Sequence, residues 1–347
     1  MSSQFGRVFQ ISTFGESHGK ALGVTIDGLP AGIELDVTNI QKELDRRKPG
    51  TSKYVSQRKE SDQVQVLSGV SDGKTLGSPI SLAVFNQDAR SKDYSDIAHL
   101  FRPGHADYTY FKKYGLKLKA GGGRSSGRET LARVAAGAVA KILLAQINIE
   151  IQAYTLSIGN ICAEFIDLDF AETHPLRCAD PSKADEMLAL VDKVRNDGDS
   201  IGGVIQLIAK NVPPGLGDPV FHKLDAMLAM GLMSIGAVKG IEFGAGFRAS
   251  QMKGSQHNDP ITPSGFDSNN AGGILGGISN GDHIVIQMAI KPTPSISKAQ
   301  ATIDIDGNPE MISIKGRHDP CICGRICPVA EAMAAIVLAD AYLCNKG

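Results

Sequence analysis

The residues best able to do chemistry stand in strings framed by glycine and proline. GGGRSSGRET, residues 121–130, sets Arg124, Ser125, Ser126 and Arg128 just ahead of the helix-like LARVAAGAVAKILLAQ. Glycines let backbone N–H groups turn toward a ligand without obstruction. The hydroxyls, the guanidiniums and the open N–H groups of a helix start all donate, which suits a phosphate or a carboxylate. A serine cap with Glu129 closing a capping box would explain the turn, but it needs neither arginine. No lysine followed by serine or threonine ends the run, so this is not a Walker loop.

Four further strings carry candidates. FGESHGKALG holds Glu16, Ser17 and His18, and its G-x-S-x-G spacing raises a nucleophile elbow. An elbow needs a helix after the serine; ALGVTIDG reads as a strand, so an esterase is disfavoured. His18 in a polar, glycine-flanked loop suits proton donation better than a core. HLFRPGHADYTYFKKYG packs Arg102 and His105 into a Pro-Gly turn, a proton and a positive charge for a departing phosphate. The bland account is a surface loop. RRKPGTSKYVSQRK, residues 46–59, holds six basic residues, Arg47 and Lys53 among them, and no acid. It fits nucleic acid, a polyanionic small substrate or a solvated loop. KGRHDPC brings Arg317, His318 and Asp319 together for anion binding and proton transfer.

Composition narrows the field. At 347 residues with 42% hydrophobic and 21% charged side chains, the chain can bury a large core. Its net charge of −1 gives no global field for nucleic acid or membranes, so anion binding must be local. Trp is absent and aromatics are 5%, against a base-stacking platform. The N-terminal MSSQFGRVFQ lacks a signal-peptide pattern and no uncharged apolar run spans a bilayer, which points to the cytoplasm. CICGRIC lacks the C-x-x-C pairs of a zinc ribbon; its thiols read as small buried groups, with no metal.

Strands are expected at RVFQIST, LGVTIDG, VQVLSG, ISLAVF, GGVIQLIA and HIVIQMAIK, and helices at 38–47, 127–146, 182–196, 220–235 and 328–344. They come in groups, with a hairpin over VQVLSGVSDGKTLGSPISLAVF, so the class is α+β. GVTIDGLPAGIELD from residue 23 echoes GVIQLIAKNVPPGLGD from residue 203: strand, Pro-x-Gly turn, then helix. The match is too short for a domain boundary, so the chain reads as one unit over 1–347 with room for internal pseudo-symmetry.

In chain order, FGESHG, LDRRKPGTSKY, RPGHADYTY, GGGRSSGRE, GDSIGG, AGGILGGISNG, KPTPS and GRHDPC resemble the chorismate synthases along essentially the whole sequence. The resemblance implies a helical core between antiparallel sheets, a homotetramer, and conversion of 5-enolpyruvylshikimate 3-phosphate to chorismate and phosphate with reduced FMN. It assigns Arg124, Ser125, Ser126, Gly236, Ala237, Gly276, Lys291, Pro292, Thr293, Pro294, Ser295 and Arg317 to FMN. Arg47, Lys53, Arg102 and Arg128 fall to the substrate anions. His18 would protonate the leaving phosphate and His105 would stand by the flavin pyrimidine edge. Ser17 and Asp319 would relay the substrate proton by way of flavin N5. The compact chain points to an external flavin reductase rather than reduction by NADPH on the protein itself. It departs from the family at Lys53, usually Arg, at Gly236, usually Asn, and at Gly127, usually Ala; it is also richer in cysteine at CICGRIC and ends soon after its last helix.

Overall fold

A computed structural model describes residues 3–48, 61–86, 98–116, 122–314 and 318–346. Lys53, Arg317 and most of the basic 46–59 string lie outside the described residues. Helices run Val37–Arg47 (α1), Asp107–Tyr114 (α2), Thr130–Ala145 (α3), Leu168–Thr173 (α4), Pro181–Asn196 (α5), Leu224–Met233 (α6), Gly254–His257 (α7) and Cys323–Cys344 (α8).

Two five-stranded antiparallel sheets enclose the central helices. The first runs Gln4–Phe5, Gln10–Gly15, Ala21–Asp27, Ile80–Phe85, Val64–Ser68 across its width. The second runs Val238–Phe243, Ile284–Ile290, Gly203–Lys210, Glu150–Ile158, Ile161–Cys162. Alternation buries Leu22, Val24 and Ile26 of the first sheet and Ile284, Ile286 and Met288 of the second. α3 packs on Ala21–Asp27, α8 packs on Glu150–Ile158 and Gly203–Lys210, and the two helices cross each other. This is the α+β sandwich expected from the resemblance.

The crossing is close because both helices carry small residues there. A Cβ on Gly137 would stand 2.3 Å from the Cβ of Ala332. α8 is apolar enough to cross a membrane by length, yet nearly all of it is buried between the layers. Its one polar break near the middle is fully served. Glu331 accepts from both terminal nitrogens of Arg46 (2.6 and 3.0 Å), Lys141 Nζ (2.7 Å) and the Ala153 N–H (3.0 Å). Burial alone would raise this carboxyl; Lys141 and Arg46 outweigh it and hold it down at about 2.

All six expected strands form, and the expected hairpin closes as Val64–Ser68 against Ile80–Phe85. The echoing segments, Ala21–Asp27 and Gly203–Lys210, are each the middle strand of a sheet and each lead on to a helix, α1 and α6. Three details differ from expectation. α8 starts earlier, at Cys323, with Pro328 inside it. Helix 220–235 shrinks to Leu224–Met233. Ser126 caps a short 3-10 turn at Gly127–Glu129 through the Arg128 N–H, while Glu129 turns away to Thr13 and Arg133, so no capping box closes.

Candidate active site

α1 ends in two arginines with different duties. Arg46 faces the core carboxylates. Arg47, 2% exposed, turns toward Asp62 and donates from Nη2 to Oδ2 at 2.6 Å. Arg128, from the 3-10 turn, stands 3.0 Å from Asp62 Oδ1 at an angle that makes an ion pair rather than a hydrogen bond. Arg325, on the first turn of α8, pairs with Asp319 at 2.5 Å. Burial, opposed by Asp62 and reinforced by Arg325 and Arg128, pushes the Arg47 guanidinium down to about 10. Three guanidiniums against two carboxylates leave one positive charge in excess. Arg47 Nε and Arg325 Nε are both buried without a partner. A buried donor left unpaired is costly, and an anion set among these guanidiniums, which would make the cluster an anion hole, would supply the missing partner.

The histidine loop hangs from the same arginine. Arg128 Nε donates to Asn86 Oδ1 at 2.9 Å, and Asn86 Nδ2 donates to the Gly19 carbonyl at 2.8 Å. Within the loop Ser17 Oγ and His18 Nδ1 lie 3.0 Å apart, with Ser17 buried. Strands Gln10–Gly15 and Ala21–Asp27 flank the loop as a hairpin, and no helix follows Ser17. The elbow geometry of an esterase is absent.

A second cluster gathers the segments assigned to flavin. His105 Nε2 is 2.7 Å from Ser295 Oγ, and Lys291 Nζ donates to the Gly104 carbonyl at 2.7 Å. The Lys291 N–H reaches the carbonyl of Ala237 (2.9 Å), whose φ of +78° is rare for a residue with a side chain. Ser200 Oγ holds the Thr293 carbonyl at 2.6 Å, while the buried Thr293 hydroxyl has no partner. Burial pushes His105 down to about 4, helped by Arg102, Lys291 and His318 against Asp107. His318 and Asp319 therefore stand between this cluster and the arginine hole. The Pro320 carbonyl accepts from Ile201, which fixes that junction.

Not every expected residue joins in. Arg102 closes its fork on Asp107 (2.6 and 2.7 Å) beside His105. Arg124 reaches Thr13 Oγ1 (2.6 Å) and the Gly15 carbonyl (3.3 Å), and among the described residues it is linked to the end of α6 through Glu129, Arg133 and Ser234. Ser125 is exposed and bonds the Gly122 carbonyl. Gly276 lies at the start of α6, since Gly277 accepts from Leu224, whereas Gly236 and Ala237 follow its end. Ten residues of helix put roughly 15 Å between them. Asp62, Asn86 and Arg325 were not read from the sequence as site residues. Asp62 and Asn86 sit in strings without glycine or arginine neighbours, and Arg325 is inside CICGRIC, where the thiols drew the attention.

Clustered guanidiniums, with two histidine-bearing loops connected to them, are an arrangement suited to an enzyme that acts on an anionic substrate. The family model for chorismate synthase matches residues 9–343. A chorismate synthase from Nitratidesulfovibrio vulgaris is 53% identical over 98% of this chain and 96% of its own length. One from Syntrophobacter fumaroxidans is 54% identical over 98% and 97%. A crystal structure of a chorismate synthase superposes with a TM-score of 0.78 at 35% identity, covering 99% of this chain and 94% of that one. The chain belongs to the chorismate synthase family. Its activity is the family's: a carbon–oxygen lyase that converts 5-enolpyruvylshikimate 3-phosphate to chorismate and phosphate by 1,4-elimination, the last step of the shikimate pathway. The family needs a reduced flavin.

Proposed function

We propose that the arginine hole holds the anions of 5-enolpyruvylshikimate 3-phosphate through Arg47 and Arg128, with Arg102 and Lys53 as further substrate ligands. The observation that carries this is the buried, unpartnered Nε of Arg47 beside two further guanidiniums. His18, steadied by Ser17 Oγ, protonates the phosphate as it departs. Ser17 and the Asp319 carboxylate carry away the ring proton, and Arg325 orients Asp319.

The flavin is FMN, held by Arg124, Ser125, Ser126, Gly236, Ala237, Gly276, Lys291 to Ser295 and Arg317. The unpartnered Thr293 hydroxyl, the left-handed backbone at Ala237 and the Lys291 ammonium suit a ligand with phosphate and hydrogen-bonding edges. Bound there, reduced FMN would lend electron density as phosphate leaves and recover it afterwards, since the ring C–H is too weakly acidic for simple base removal. His105 is neutral in the folded chain, and an anion set beside it draws a proton onto the imidazole.

The enzyme acts as one catalytic unit over residues 1–347, in a cytoplasmic homotetramer whose FMN is reduced by a separate flavin reductase. Large side chains exposed at Phe221, Met230, Phe247 and Ile261 support burial in an assembly. The test is anaerobic. Protein, substrate and chemically reduced FMN yield chorismate and phosphate in equal amounts, and oxidised FMN yields neither. Arg47→Met lowers kcat/KM roughly 10- to 100-fold, the worth of a charged hydrogen bond. Wild-type kcat/KM in a folded Arg47→Met protein would remove the hole from the substrate site.

A further inference from the structure

Asp62 has no role in the scheme above, yet it is closely held. Its side chain is fully buried and its backbone is left-handed, with φ +46°. The Gln41 amide donates to its carbonyl at 3.2 Å and accepts from the Val64 N–H at 3.0 Å. Gln41 and Arg47 both belong to α1, so one helix grips Asp62 through its backbone and through its carboxylate. The side chain is short and the main chain is fixed, so the carboxylate cannot swing out when a ligand arrives. It ties Arg47 of α1 to Arg128 of the 3-10 turn, two elements that meet at no other ion pair among the described residues. Yet it does not satisfy the hole, because Arg47 Nε stays unpartnered.

We propose that Asp62 is a positioning residue of the anion hole, a resident carboxylate that fixes the spacing of Arg47 and Arg128 and limits the hole's affinity for phosphate so that the product can leave. This rests on the assignment of Arg47 and Arg128 to the substrate anions. With Asp62 neutral, the excess positive charge of the three guanidiniums doubles and less of it is engaged by a resident carboxylate.

The experiment measures inorganic phosphate binding to the full chain at equilibrium, and as a product inhibitor. Asp62→Asn keeps the shape and suits the left-handed backbone. It is expected to bind phosphate about tenfold more tightly, with a lower kcat and a KM for substrate that is unchanged or reduced. Phosphate affinity equal to or weaker than wild type, in a variant with a cooperative melt, overturns the proposal. Asp62→Gly fits the same backbone without charge and replaces the first variant if that one does not fold. If neither folds, Asp62 is a folding element and the proposal fails. Arg47→Met separates the two levels. If it loses phosphate while Asp62→Asn gains none, only the role of Asp62 falls. If it binds phosphate as wild type does, the hole itself is misassigned and Asp62 goes with it.

Discussion

An arginine with a buried, idle Nε is an expensive object to keep in a protein interior, and an anion placed between Arg47 and Arg325 would offset that cost. Gly236 poses the opposite case, a position with less side chain than its surroundings admit. Nothing lies within 4 Å of where its Cβ would stand, and the residue is exposed. Gly236→Asn is therefore expected to keep or raise the melting temperature and to tighten FMN binding a few-fold, by adding a donor and removing unfolded-state freedom worth about 0.4–1 kcal/mol. Weaker FMN binding in a titration of the variant would mean that residue 236 does not face the cofactor. At this scale the sequence displayed residues set in glycine and proline frames: Arg47, His105, Arg128 and Asp319 could all be picked out. It hid Asp62 and Arg325, because their importance comes from the guanidinium or carboxylate opposite, supplied by a distant part of the chain.

Among the elements, α1 couples core to site through consecutive residues. Arg46 is locked by Glu43, Glu172 and Glu331 from three different helices, and this fixes the direction in which Arg47 points. The α3–α8 crossing sets how far apart the layers stand. Gly137→Ala would press a methyl against Ala332 at a distance real side chains do not tolerate. It should cost about 1–3 kcal/mol in urea unfolding, and it should lower activity as α8 carries Arg325 away from Arg47. A cost near zero would mean that the helices part freely. Strands such as Ile284–Ile290 were legible from their runs of branched residues, but Glu150–Ile158 was not, since Glu150, Gln152 and Tyr154 break the apolar pattern. The first turn of α8 was hidden by Pro328, which lacks an N–H and discourages helix in the residue before it.

For the molecule as a whole, acid is the sensitive condition, at two separate steps. His105 sits at about 4 in the folded chain against 6.5 when free, so the stability tied to its neutral form drains away as pH falls from about 6.5 to about 4. Glu331 is held at about 2 against 4.5, so its contribution is complete above 4.5 and fades as pH falls toward 2. Each step is worth about 3 kcal/mol. Denaturant titrations at pH 7, 5 and 4 should show the first step in wild type and a much smaller one in His105→Gln. Parallel losses in both proteins would place the sensitive group elsewhere.

The buried position of α8 has a bearing on how the protein is made. It is the innermost layer and, of the elements described, the last in chain order. Both sheets emerge from the ribosome well before the helix that separates them, so until it arrives their apolar faces have only the partial cover of α3, α1 and α6. Cooperative closure of the whole fold thus hangs on a segment that arrives late, and a chain halted short of Cys323 would present two sticky surfaces to the cell instead of one enzyme.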